Sequence, residues 1–189
     1  MTIDQDDLSH AEMAALAKRI DRPIALIGMM GVGKSTVGRR LAALLQLPFA
    51  DADDEIEAAA QLSVSEIFAR FGEDYFRDGE RRVIVRLVEQ GPGIIATGGG
   101  AFSQEETRRL LLESAIPVWL DADIDVLVDR VGRKDTRPLL KDGDPREILA
   151  ALYEKRAPHY RQAPIHVTSA SGPHHATAMR ILKELEQWL

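Results

Sequence analysis

The stretch Gly28-Met29-Met30-Gly31-Val32-Gly33-Lys34-Ser35, followed by Thr36, decides the fold. Before it stands Ile24-Ala25-Leu26-Ile27, a short apolar run ended by glycine, which reads as a buried parallel strand. After it, Lys34–Leu45 carries Val37, Leu41, Leu44 and Leu45 at helical spacing. A buried strand, G-x4-G-K-[ST] and a helix, in that order, make a phosphate-binding loop. Small residues let successive backbone N–H groups turn inward around a phosphate chain. The helix starting near Lys34 directs its positive dipole end at the same anion. Lys34 can reach the β- and γ-phosphates, and the Ser35 hydroxyl can ligate Mg²⁺. At average amino-acid usage the pattern arises by chance in about one chain of this length in a hundred. Gly31, Val32, Gly33, Lys34, Ser35 and Thr36 are therefore candidate nucleoside triphosphate contacts.

Outward from this loop, strands and helices alternate. Phe49-Ala50, Ile94–Thr97, Ile116–Leu120 and Ile165–Val167 read as further strands. Arg77–Glu89, Ile124–Val131, Pro145–Tyr160 and His174–Leu189 read as helices, and the capping-box pairs Ser63/Glu66 and Ser103/Glu106 mark two helix starts. Such alternation implies an α/β fold of three layers, a parallel sheet between helices. Residues Gly132–Pro145 are rich in charge, glycine and proline and read as a long mobile loop. One domain spans 23–189. Residues 1–22 read as an extension, mobile or forming one amphipathic helix over Ser9–Arg19.

The totals exclude several classes. The 189 residues carry 24 Lys+Arg against 30 Asp+Glu, a net charge of −6, which argues against nucleic acid and anionic membranes as partners. No cysteine is present, so thiolate metal sites and cysteine nucleophiles are excluded. No apolar run approaches a membrane span, and MTIDQDDLSH is acidic where a signal peptide would be basic, so a cytoplasmic protein is expected. The chain has no asparagine, and so no Asn-Lys-x-Asp guanine motif. The strand Ile94–Thr97 ends in Gly98-Gly99-Gly100, not in the aspartate of a motor ATPase. A kinase of a small acceptor remains, with the acceptor near the strand ends.

Asp51-Ala52-Asp53-Asp54-Glu55 closes the second strand. If the strand continues, Asp51 and Asp53 share one side, where one carboxylate can hold the metal through water and the other can orient an attacking hydroxyl. If it stops, the same acids fill the first turn of a helix and favour its dipole. The residues alone leave both open.

The full set of motifs resembles the shikimate kinase family from about Pro23 to the C-terminus. It comprises the loop Gly28–Ser35, Asp51-Ala52-Asp53, Phe76-Arg77 with Glu80, Gly98–Gly100, Arg137-Pro138-Leu139-Leu140, and Lys155-Arg156-Ala157-Pro158-His159-Tyr160. The resemblance implies a five-stranded parallel sheet in the order 2-3-1-4-5 with a closing lid at about 132–145. It implies transfer of the ATP γ-phosphoryl group to the 3-hydroxyl of shikimate, a step towards chorismate and the aromatic amino acids, by a monomer using Mg²⁺. Asp53 resembles the aspartate that positions the attacking hydroxyl. Arg77 and Arg156 resemble the pair that holds the shikimate carboxylate, which suits the planar guanidinium fork. Gly98, Gly99 and Gly100 resemble the substrate loop, where backbone approaches closely. Arg137 resembles the lid arginine brought to the transferring phosphoryl group, so that Lys34, Asp53 and Arg137 form the expected catalytic set. Ser35 and Asp51 resemble the magnesium ligands. Arg130 resembles the arginine that packs on adenine, with Pro173 opposite it.

Two rivals stand beside this reading: a gluconate- or nucleotide-directed kinase of similar fold, and a nucleotide-binding module without catalysis. The five histidines read as structural or exposed, and Trp119 and Trp188 as core residues. A cleft holding two anions, ATP and shikimate, is expected to be basic within an acidic chain.

Overall fold

The computed structural model describes residues 8–132, 143–169 and 172–189. Five strands, β1 (Ile24–Ile27), β2 (Phe49–Asp51), β3 (Ile94–Ala96), β4 (Ile116–Asp121) and β5 (Ile165–Thr168), form one all-parallel sheet in the order β2-β3-β1-β4-β5. The order and the layering agree with those the motifs imply. β1 lies at the centre, paired with β3 on one side and β4 on the other, and all four of its residues are buried. That is why its sequence is a continuous apolar run and does not alternate.

Helices cover both faces: α1 (His10–Arg19), α2 (Lys34–Leu45), α3 (Ala52–Ala60), α4 (Val64–Glu89), α5 (Glu105–Ser114), α6 (Ile124–Gly132), α7 (Pro145–Tyr160) and α8 (His174–Trp188). Helix α2 packs on α8 and α1, and α6 packs on α7. Residues 8–22 pack on the domain, with the helix expected over Ser9–Arg19 in place. A Ser9/Glu12 capping box starts α1, and Met13, Leu16 and Ile20 are buried in the same core as the sheet. The apolar face of this short helix is what the sequence reading undervalued. Packed this way it carries helical stability that a ten-residue helix lacks on its own.

Other local expectations change with physical cause. The first capping box, Ser63/Glu66, starts α4, which runs on to Glu89 through a kink at Gly72 (φ 82°, ψ 176°). The second box does not form. Ser103 closes a 3₁₀ turn, Ala101–Ser103, and α5 starts after Gln104 instead. Trp188 is 43% exposed at the end of α8, so it is no core residue, whereas Trp119 is buried and stacks on His166 at 4.1 Å. The expected lid arginine Arg137 and most of the segment 132–145 lie outside the described residues.

Candidate active site

A cleft of about 1360 Å³ opens at the carboxyl ends of the central strands. Its floor is the turn after β1. Gly33 caps α2 with φ 103°, a left-handed conformation natural to glycine, and no side chain makes a capping hydrogen bond to the helix N-terminus. Lys34 is the first residue of α2, and its Nζ donates to the carbonyls of Gly28 (2.9 Å) and Met29 (3.0 Å), bracing the loop. Gly31, Gly33, Lys34, Ser35 and Thr36 line the cleft, while Val32 is fully buried and is not part of the lining. The Val32 carbonyl accepts from Arg130 Nη1 at 3.0 Å, which places the guanidinium of α6 at the same rim.

The strand question resolves at Asp51. Pairing of β2 with β3 ends at the Asp51–Ala96 register. Asp51 then caps α3, its Oδ1 accepting from the Asp53 backbone N–H at 3.1 Å. The acids therefore occupy a helix N-terminus, not a prolonged strand, and yet Asp51 and Asp53 both line the cleft. The Ser35 hydroxyl donates to Asp51 Oδ2 at 2.5 Å, joining the two expected metal ligands.

The opposite wall comes from α4, α7 and the turn after β3. Arg77 Nη1 donates to Glu80 Oε2 at 2.7 Å, and Arg77 Nη2 donates to Glu73 at 3.2 Å. Arg156, only 7% exposed, leaves its buried Nη1 without a partner. Glu80, 1% exposed, likewise has an unpartnered Oε1. Burial is the largest influence on Glu80 and raises its pKa, against the opposing pull of Arg77, while Asp53 nearby adds to the rise. For Arg77, burial lowers the pKa most strongly as a single cause, but Glu80 and Glu73 together outweigh it. Buried unpaired donors and acceptors are costly, so such groups facing a cleft mark where a ligand's own polar groups would sit.

The triple glycine makes this crowding possible. A Cβ on Gly98 would lie 2.2 Å from Glu80 Oε1 and 3.1 Å from Asp53 Oδ1, and one on Gly100 would lie 2.3 Å from Arg77 Nη2. These glycines are needed first by the protein's own charged groups, and only through them by a substrate.

Three comparisons fit this geometry. A family model described as shikimate kinase matches residues 30–186. A shikimate kinase of Novosphingobium aromaticivorans is 59% identical over 96% of this chain and 96% of its own. The chain belongs to the shikimate kinase family. That relative's match takes in more than residues 23–189, so the likeness extends into the N-terminal segment, contrary to the boundary drawn at Pro23 from the motifs. Among solved structures, a shikimate kinase from Acinetobacter baumannii in complex with shikimate superposes with a TM-score of 0.87 at 35% identity, covering 90% of this chain and 97% of its own. A gluconokinase from Sinorhizobium meliloti, 18% identical with a TM-score of 0.56 over 88% of this chain and 92% of its own, shares the fold alone.

Within the family's cleft, the structure brings together Ser35, Asp51, Asp53, Arg77, Gly98, Gly99, Gly100, Arg130 and Arg156. It does not bring Pro173 into the lining. Pro173 caps α8, and its neighbours Gly172 and His174 line the cleft instead. His174 contradicts the view that every histidine is structural or exposed. Its ring faces Gly33, and burial, seconded by Arg130, holds its pKa below the ordinary value. Glu80 stands in the motif set beside Arg77 but carries no role among the expected site residues. The signal available was its i,i+3 spacing from Arg77, which puts both on one helix face. The expected basic cleft is not found among the described residues: Asp51, Asp53, Asp54, Glu57, Glu80, Asp125 and Asp129 line it against Lys34, Arg77, Arg130 and Arg156. Of its arginines, Arg77 is held by Glu80 and Glu73, Arg130 by the Val32 carbonyl, and Arg156 keeps one nitrogen without a partner.

Proposed function

We propose that this chain transfers the γ-phosphoryl group of ATP to the 3-hydroxyl of shikimate, giving shikimate 3-phosphate and ADP. The observation that carries the reading is Arg156, which lines the same cleft as Arg77, Asp53 and the phosphate loop and keeps a buried Nη1 without a partner. A hydroxylated carboxylate supplies what this wall lacks: an anion for the guanidinium forks and hydroxyls for Asp53. A nucleobase or an uncharged sugar supplies no carboxylate.

In this reading the N-terminus of α2 and Lys34 hold the triphosphate, with Lys34 exchanging its loop carbonyls for phosphate oxygens. Arg77 and Arg156 fix the acceptor carboxylate, and Asp53 accepts a hydrogen bond from the attacking hydroxyl and aims it. Such positioning supplies much of the rate in phosphoryl transfer, where the protein has little covalent chemistry to do. Arg130 and the Gly172–His174 turn bound the nucleotide end, with Pro173 beside it. Arg137, in a lid of about 132–145, would add positive charge at the phosphoryl group.

Ser35 and Asp51 suit Mg²⁺, because both offer hard oxygen donors within hydrogen-bond distance of each other. Among the described residues no group of three or more His, Cys, Asp or Glu could hold a metal, so this ion would take its other ligands from phosphate and water. When bound, it neutralises charge on the β- and γ-phosphates. The reading also carries a monomer working in the cytoplasm. Among the described residues no helix is long and apolar enough to cross a membrane.

The test mixes the protein with Mg·ATP and follows ADP release with shikimate, gluconate, nucleoside monophosphates or no acceptor. Release that depends on shikimate supports the reading. Release only with gluconate or a monophosphate would replace it with a related kinase, and no release with any acceptor would leave a nucleotide-binding module.

A further inference from the structure

Tyr160 ends α7 one helical turn after Arg156 and is fully buried. Its ring packs 5.9 Å from Trp119, and its hydroxyl lies 4.0 Å from Met29 Sδ. The ring contact with Trp119 would survive in a phenylalanine, whereas the contact with the Met29 sulfur, at the long limit of a weak hydrogen bond, needs the hydroxyl. The hydroxyl itself donates to the carbonyl of Gly99.

That bond has a particular place in the glycine turn. The Gly98 carbonyl accepts from the Ala101 N–H at 3.2 Å, and the Gly100 carbonyl accepts from the Ser103 N–H at 3.1 Å. Both are local donors of the turn that follows. The middle carbonyl is held from another element, by the Tyr160 side chain. Glycine has the largest backbone freedom to lose, so a turn of three glycines needs such anchors to stay in one conformation. Gly99 is also where Arg156 comes close: a Cβ there would lie 3.5 Å from Arg156 Nη1. Burial pushes the Tyr160 phenol up to about 12, against the opposing charge of Arg156, so the group remains a neutral O–H donor at working pH.

We propose that Tyr160 is a positioning residue for the acceptor, its hydroxyl fixing the Gly99 peptide and with it the seat that Gly98–Gly100 and Arg156 form. It acts through that backbone and through its own hydrogen bond with Arg156, and does not touch the reacting atoms. The inference rests on the reading that shikimate is the acceptor bound at this wall. It places the acceptor site, not the nucleotide site, under the control of one buried hydroxyl.

The test is Tyr160→Phe, which keeps the ring packing and removes the O–H. Steady-state kinetics with each substrate varied in turn should show the KM for shikimate raised about tenfold, the scale of one buried hydrogen bond. The KM for ATP should stay within about twofold, and the Tm within a few degrees. Calorimetric titration with shikimate gives the acceptor Kd without turnover, and binding should weaken in step. An unchanged KM for shikimate would overturn the inference. So would a parallel rise in both KM values with a large fall in Tm, which marks a packing role only. Wild-type protein that does not turn over shikimate at all would overturn the function reading itself, and is recognised before the variant is made.

Discussion

Adding one methyl group at Gly98 tests the crowded wall directly. In Gly98→Ala the new Cβ would sit 2.2 Å from Glu80 Oε1, where carbon contacts settle at about 3.5–4.0 Å. Glu80 cannot swing into solvent, because it is 1% exposed and its other oxygen is held by Arg77 at 2.7 Å. Either the glycine turn or the ion pair must move by more than an ångström. Overpacking of this kind costs about 1–3 kcal/mol. For a chain of this length that lowers the Tm by roughly 2–12 °C. A displaced Arg77 also loses its aim at the acceptor carboxylate. A charge-assisted hydrogen bond is worth about 1.5–3 kcal/mol, so the KM for shikimate should rise roughly ten- to a hundredfold. The KM for ATP should hardly change, since the loop after β1 is untouched. The control is Gly79→Ala in α4, where a Cβ meets nothing within 4 Å. It should stabilise the protein by about 0.5–1 kcal/mol, with kinetics unchanged. Thermal unfolding and two-substrate kinetics read both variants. Wild-type Tm and KM in Gly98→Ala would refute the reasoning, since they would mean the wall accommodates a side chain that the geometry forbids.

Asp53→Asn should lower kcat by orders of magnitude and leave the Tm within a few degrees; near-normal turnover in the folded variant would remove Asp53 from hydroxyl positioning. Leu16→Ala should cost about 2–5 kcal/mol by denaturant unfolding, because Leu16 of α1 is buried in the common core. A loss below about 0.5 kcal/mol would return α1 to the status of a free extension. Glu80 gives a pH signature. Burial raises its folded pKa above the ordinary glutamate value, so the native state holds the proton more tightly than the unfolded chain. The stability it contributes is then greatest in acid and falls as pH rises from about 4.5 through the folded value. The stability difference between wild type and Glu80→Gln should therefore move against wild type across that window; a flat or opposite trend would contradict the burial argument.

The fold was legible because its signals are local. The run Ile24–Ile27, the glycine turn and the periodic helix Lys34–Leu45 each carry their conformation in residue type and spacing. The site was legible where chemistry is tied to a motif, as with Lys34, Ser35, Asp53, Arg77 and Arg156. What stayed hidden depends on tertiary partners. Glu80 looks like a surface helix acid until the triple glycine closes over it. His174 looks exposed until α8 brings it against Gly33. Ser103 and Glu106 have capping-box spacing, but the 3₁₀ turn moves the helix start to Glu105. The amphipathic helix over Ser9–Arg19 was legible, but its docking on the common core depends on tertiary partners. Among the described residues the cleft is not basic, because Asp54, Glu57, Glu80, Asp125 and Asp129 join Asp51 and Asp53 in its lining, while Arg137 lies outside those residues.

The most direct measurement identifies the product. The protein is incubated with Mg·ATP and shikimate, and the phosphorylated species is resolved by phosphorus and proton NMR as ATP is consumed. The account predicts one organic product, bearing phosphate on the 3-hydroxyl and formed in equal amount with ADP. Inorganic phosphate in place of that product, or phosphate on another hydroxyl, would contradict it.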